Sequence, residues 1–213
     1  MKKEFLKRLL SSIILIPIAL FFIIKGSFFF NFFIFICLII TIYEWHMMSR
    51  KNSYYVPGLV LLIFSFYTVY SLRNEGDFKF FLLVVITCIA TDIGGYIFGK
   101  IFKGPKLTKI SPNKTYAGMF GGFFLAIIFT NLFFDSFNYF NLGQNIQISK
   151  QIFFVVILIS FVSQIGDLII SFFKRKSKIK NTGRLIPGHG GLLDRIDGMI
   201  FAFPFMFLIT NFI

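Results

Sequence analysis

Acidic side chains are scarce in these 213 residues: nine Asp and Glu stand against 22 Lys and Arg, for a net charge of +13. Cysteine is nearly missing too. Cys37 and Cys88 both fall inside apolar runs, which reads as satisfied apolar thiols and leaves the redox compartment unmarked. No nucleic-acid recognition module accompanies the positive charge, so nucleic acid is excluded as a partner and the basic balance needs another explanation. After the opening MKKEFLKRLLSSIILIPIALFFII, no small-residue cleavage site appears near Lys25, Gly26 and Ser27, so this segment reads as a retained first span.

What abounds is apolar. The chain is 56% hydrophobic and 20% aromatic, with 34 Phe, and its mean hydropathy is +0.79. Apolar runs of about 16 to 22 residues recur along it, more than a water-soluble core of this size could hide. The expected fold is an all-α polytopic membrane protein with seven spans, near residues 9–25, 28–48, 57–72, 78–99, 116–134, 152–173 and 192–213. Residues 1–90 form its N-terminal helices and 91–213 a second region with two basic loops, the two making one integrated domain.

These spans sort the positive charge. Eighteen of the 22 basic residues fall on one side, and only Lys25, Arg73, Lys79 and Lys150 on the other. Under the positive-inside rule this puts the N-terminus in the cytoplasm and the C-terminus outside. Tyr43 and Trp45 then read as an aromatic belt, with Glu44 and His46 as interfacial neighbours.

The few acids are distributed just as unevenly. Glu4, Glu75, Asp77 and Asp135 lie in the tail or the external loops, whereas Asp92, Asp167, Asp194 and Asp197 are written into spans. An ionised carboxylate at the centre of a spanning helix costs about 2.5 to 3.5 kcal/mol, so each calls for a compensating partner. Counted from the cytoplasmic ends of their spans, Asp92, Asp167 and Asp197 all sit about 8 to 11 Å deep. Three spans thus bring carboxylates to one level. Asp194 and Asp197 share a helix face, three residues apart. Complementing the positive start of that helix would explain this pair, but not Asp92 or Asp167.

Above these acids lie the two longest cytoplasmic loops, GKIFKGPKLTKISPNKTYAG (99–118) and KRKSKIKNTGRLIPGHGG (174–191). Carboxylates below and cations above suit a magnesium-bound phosphate, since Mg²⁺ takes one or two carboxylates and completes its shell with water and phosphate oxygens. Gly188, Gly190 and Gly191 allow backbone N–H groups to approach an anion. The GxxxG spacings Gly95/Gly99 and Gly118/Gly122 read first as close helix packing, and Ser160, Ser163 and Gln164 equally as interhelical partners or substrate contacts. A transporter would need a polar path to the far side, where the helices instead read FFLLVV and IFFVVILI.

The stretch from Ser171 to Asp197, SFFKRKSKIKNTGRLIPGHGGLLDRID, resembles the C-terminal motif of the phosphatidate cytidylyltransferase (CDP-diacylglycerol synthase) family. Asp92–Lys100 (DIGGYIFGK), Ile110–Gly118 (ISPNKTYAG) and Gly166–Leu168 (GDL) are similar to further blocks of that family, in the expected order. The resemblance implies a membrane enzyme that converts CTP and phosphatidic acid to CDP-diacylglycerol and pyrophosphate with Mg²⁺. It also implies Asp167, Asp194 and Asp197 as metal-binding and catalytic carboxylates. Lys174, Arg175, Lys180, Arg195 and His189 would lie around the phosphates, His189 with a catalytic role there, and Ser111, Lys114 and Thr115 on the nucleotide or phosphate side. The implied partners are CTP, phosphatidic acid, the bilayer and, in a homodimer, a second copy of the chain. Asn181, Ala117 and Ile170 stand where the family usually carries acids, which bears on whether a second cation joins Mg²⁺. The chain is also shorter than typical bacterial members, the difference falling on N-terminal spans. The rival readings are another CTP-dependent membrane lipid transferase or kinase, an ion or anion transporter, and an inactive scaffold.

Overall fold

Each long apolar run forms one helix, because a backbone in hydrocarbon must satisfy its polar groups internally. The computed structural model describes residues 2–76, 78–139, 150–183, 185, 188 and 190–212. Its helices are α1 (Lys2–Lys25), α2 (Ser27–Ser49), α3 (Tyr55–Asn74), α4 (Phe78–Phe102), α5 (Tyr116–Tyr139), α6 (Lys150–Lys176), α7 (Leu193–Ile196) and α8 (Met199–Phe212). Five of them, α2 to α6, are long and apolar enough to cross a membrane. Ile13–Lys25 and Met199–Asn211 are shorter apolar helices.

The expected last span is not one helix. Residues 193–196 form a single short turn of helix, and after Asp197 and Gly198 the chain starts again as α8. The break lets Gly198 pack against Ser163 of α6, where a Cβ would lie 3.0 Å from the Ser163 carbonyl oxygen.

The α1–α2 junction is a backbone reversal at Gly26 (φ 63°) and Ser27 (φ 49°). Arg73, near the end of α3, braces it by donating to the Ile23 carbonyl from Nη2 (2.9 Å) and Nε (3.2 Å). Its guanidinium also lies over the rings of Phe78 (4.0 Å) and Phe30 (5.6 Å), a placement that attracts a cation to the ring faces.

The tightest pairing is α4 with α5, and α6 packs against α4, α5 and α8. Glycine makes this possible, as expected for helices associating in lipid. A Cβ at Gly118 would lie 2.7 Å from the Gly95 carbonyl oxygen, and one at Gly94 would lie 2.8 Å from the Gly121 carbonyl carbon. The reading of Gly95 and Gly118 as packing residues therefore holds, and Gly94 and Gly121 pack as closely beside them. Gly94→Ala is expected to push α4 from α5 and cost about 1 to 3 kcal/mol, as overpacking does, measured as a lower thermal midpoint in detergent.

Polar groups inside the bundle bond across helices. Thr91 Oγ1 of α4 donates to Ser160 Oγ of α6 at 2.7 Å, and Gln164 Nε2 of α6 reaches the Met119 carbonyl of α5 at 3.4 Å. Among the described residues no buried side-chain polar atom lacks a partner. Apolar packing falls into two clusters, one through α2–α6 and α8 around Phe30, Phe81, Val84 and Ile159, the other around Trp45, Leu62, Ile170 and Leu193 at the basic-loop end.

Candidate active site

Between α4 and α5 the chain leaves the helix at Lys103 (φ 52°) and Gly104 (φ 84°) and turns back on itself. Leu107 N donates to the Lys114 carbonyl (2.7 Å), Lys114 N to the Ser111 carbonyl (3.0 Å) and Tyr116 N to the Pro105 carbonyl (3.2 Å). The basic loop is thus a short closed turn. Thr115 Oγ1 accepts from Gly118 N at 3.1 Å, capping α5. These bonds aim Ser111, Asn113 and Lys114 into a cavity of 480 Å³ at this end of the bundle.

The opposite wall of the cavity comes from α6 and the segment leading to α8. Asp167, Lys174, Lys180, Asn181, Asp194, Arg195 and Asp197 line it, and Asp92 completes it from α4. Asp167 pairs with Lys114 through Oδ2 and accepts from Ser171 Oγ at 3.2 Å through Oδ1. Its side chain is also within hydrogen-bonding reach of Asp197. Lys174 Nζ lies 2.9 Å from Asp194 Oδ1 and 3.6 Å from Asp197 Oδ2. Asp92 is close enough to Asp167, Lys114 and Arg195 to interact electrostatically with all three.

The carboxylates expected at one level therefore share one cavity, and Asp194 and Asp197 do face the same way, both toward Lys174. Their surroundings differ. Asp194 Oδ2 accepts two backbone amides, Thr182 N (2.8 Å) and Gly191 N (3.0 Å), so Asp194 also organises the second basic loop. Asp167 and Asp197 have fewer fixed bonds.

Ser111, Lys114, Thr115, Lys174, Lys180 and Arg195 line the cavity as the sequence suggested. Arg175 does not. It is exposed, and its Nη1 donates to the Ile179 carbonyl at 3.4 Å. It sits one residue from Lys174 on α6, about 100° around the helix, so only one of the two can face the carboxylates. His189 lies outside the described residues. Of the positions where acids were expected, Asn181 lines the cavity, whereas Ile170 is 2% exposed in the apolar cluster around Trp45. Gln164, Thr91 and Tyr96 join the wall.

The sequence matches the Cytidylyltransferase family over residues 6–79 and 68–213, which together reach nearly end to end. The chain belongs to the cytidylyltransferase family. Among its relatives is a phosphatidate cytidylyltransferase of Rickettsia felis, 33% identical over 220 residues, covering 98% of this chain and 93% of the relative. Phosphatidate cytidylyltransferases of Staphylococcus aureus and Staphylococcus epidermidis are 39% identical over 140 and 141 residues, covering 64% of this chain and 50% of each relative. The chain thus spans about half the length of these two, and nearly all of the rickettsial relative.

Whether this cytidylyltransferase-family cavity suits Mg²⁺ depends on its donors. Among the described residues no three His, Cys, Asp or Glu side chains close around an ion by themselves. The adjacent Asp167 and Asp197 do supply the one or two hard carboxylates that Mg²⁺ takes when phosphate and water complete its shell. The residues present fit a shared metal–phosphate site rather than a protein-only cage.

Proposed function

We propose that this chain is a phosphatidate cytidylyltransferase, making CDP-diacylglycerol and pyrophosphate from CTP and phosphatidic acid. One observation carries the reading: in a chain of this family, Asp92, Asp167 and Asp197 share one cavity with Lys114, Lys174, Lys180 and Arg195 at the end of an apolar bundle.

A phosphate oxygen of phosphatidic acid forms a new bond to the α-phosphorus of CTP. The bond from that phosphorus to the β-phosphate bridging oxygen breaks, and its electron pair leaves with pyrophosphate. The nucleophile is already anionic, so the barrier is repulsion between two polyanions and their alignment. Lys114 and Lys174, paired with carboxylates here, would turn to phosphate oxygens when substrates enter, with Lys180 and Arg195 beside them. Ser111 and Asn113, aimed by the closed turn before α5, would hydrogen-bond the nucleotide side. Asp167 and Asp197 would hold Mg²⁺, with lone pairs left on Asp194 for a third bond. Bound there, the ion supplies charge neutralisation at the α-phosphate and the leaving pyrophosphate.

The reading includes seven membrane crossings, the N-terminus in the cytoplasm and the C-terminus outside, in a bacterial cell membrane with the cavity facing the cytoplasm. Eighteen basic residues on one side support it. So does the supply of substrates: CTP arrives from water and the lipid sideways from the bilayer.

Detergent-purified protein with CTP, phosphatidic acid and Mg²⁺ is expected to release pyrophosphate and form CDP-diacylglycerol in equal amounts, and to stop when EDTA removes the metal. Formation of CDP with a phosphorylated lipid would assign the chain to a kinase reaction instead.

A further inference from the structure

We infer that Glu44 is a positioning residue for this site, one that acts by closing the neck of the second basic loop. This inference rests on the proposed reaction for its activity arm only. Glu44 lies in α2, outside the cavity wall, and is 4% exposed. Its Oε1 accepts from Leu192 N at 2.9 Å, and its Oε2 accepts from Leu193 N at 2.8 Å and from Thr182 Oγ1 at 2.9 Å. The two oxygens therefore tie Thr182, midway along the loop, to Leu192 and Leu193, where the chain returns to helix.

Asp194 ties the same two places from the cavity side, through Thr182 N and Gly191 N. The neck is held between two carboxylates, one facing the substrates and one facing the core. Lys180 and Asn181, which line the cavity, directly precede Thr182, and Asp194 directly follows Leu193. Opening the core-side clasp leaves the neck held by Asp194 alone and loosens the cavity-side residues joined to it.

The fit around Glu44 is close. A Cβ on Gly183 or on Gly191 would come within 2.6 Å of Oε1, so neither position has room for a side chain while the clasp is shut. Each carboxylate oxygen accepts from a backbone N–H, a demand an amide cannot meet, because its nitrogen would confront the Leu192 N–H in one orientation and the Leu193 N–H in the other. The surrounding corner is fixed independently: Trp45 Nε1 donates to the Tyr55 carbonyl at 3.0 Å, and Tyr54 OH meets Ser177 Oγ at 2.7 Å. Loss of the clasp should therefore act on the neck and leave the α2–α3 corner in place.

The test uses the full chain in detergent, comparing wild type, Glu44→Gln, Thr182→Val and the double variant. Glu44→Gln is expected to lower kcat by about 10- to 100-fold, the range seen when partners supporting a site's ligands are removed. Amide hydrogen exchange should quicken at residues 182 and 191–194 far beyond any change in the helices, and the thermal midpoint should fall only modestly, by what a buried donor left unpaired costs. Thr182→Val should cost less alone and nothing further in the Glu44→Gln background, since both remove the same clasp. Unchanged exchange at the neck would overturn the inference, as would exchange that quickens equally across all helices. A wild-type protein that forms no CDP-diacylglycerol while the neck still loosens in Glu44→Gln would refute the proposed reaction and leave the clasp standing.

Discussion

Replacing Asp167 by Asn should lower CDP-diacylglycerol formation by about a hundredfold or more, as losses at metal-centred electrostatic sites do. Asp167 sits between the two walls of the cavity: Lys114 pairs with one oxygen, Ser171 Oγ donates to the other at 3.2 Å, and Asp197 is within reach. The amide keeps the shape and can still accept from Ser171, but it removes the charge that orients Lys114 and attracts a cation. The substitution should leave the thermal midpoint near wild type, because a side chain 25% exposed to the cavity has water to solvate what it loses. Labelled CTP followed into CDP-lipid, beside a melting curve, separates the two effects. A rate within about threefold of wild type, far short of the effect typical of such sites, would show that the cavity does something other than phosphoryl chemistry.

The bundle was legible in the sequence because the signal for a spanning helix is local: a run of apolar residues, ended by charge or glycine, needs no distant partner to be recognised. Span 57–72 becomes α3, Tyr55–Asn74, and span 78–99 becomes α4, Phe78–Phe102. The break after Asp197 was hidden because Gly198 is set by contact with Ser163 of another helix. The carboxylates were legible for an energetic reason, since an acid inside an apolar run has a cost that something must repay.

The same rule, applied to every acid inside span 28–48, would have flagged Glu44. Its place beside Trp45 and His46 suggested an interface, yet its partners Thr182, Leu192 and Leu193 lie 138 to 149 positions away, where no spacing rule reaches. The Lys174–Arg175 pair shows a further limit of reading by motif. Resemblance assigned both to phosphates, whereas helical geometry separates them: Lys174 is seven residues from Asp167, two turns along the same face, and Arg175 is rotated away.

Lys174→Met should destabilise the protein more than any other single change at the cavity, by about 3 to 5 kcal/mol, the usual cost of removing one partner from a buried ion pair. Lys174 is 8% exposed, and its ammonium group lies 2.9 Å from Asp194 and 3.6 Å from Asp197. Without it, Asp194 and Asp197 face each other and Asp167 across a cavity with one cation fewer. Asp194 cannot turn away, because its other oxygen holds the neck of the loop through Thr182 N and Gly191 N. Methionine fills the volume of the lysine stem, so the loss is electrostatic rather than a void. Adding Asp194→Asn to Lys174→Met should then recover part of the thermal midpoint, as removing both members of a buried pair costs less than removing one. Turnover should stay low in the double variant, because a phosphate partner and a carboxylate are both gone. Recovery of stability without recovery of rate would separate what Lys174 does for the fold from what it does for the substrate. A Lys174→Met protein as stable as wild type would mean that these carboxylates do not need the cation.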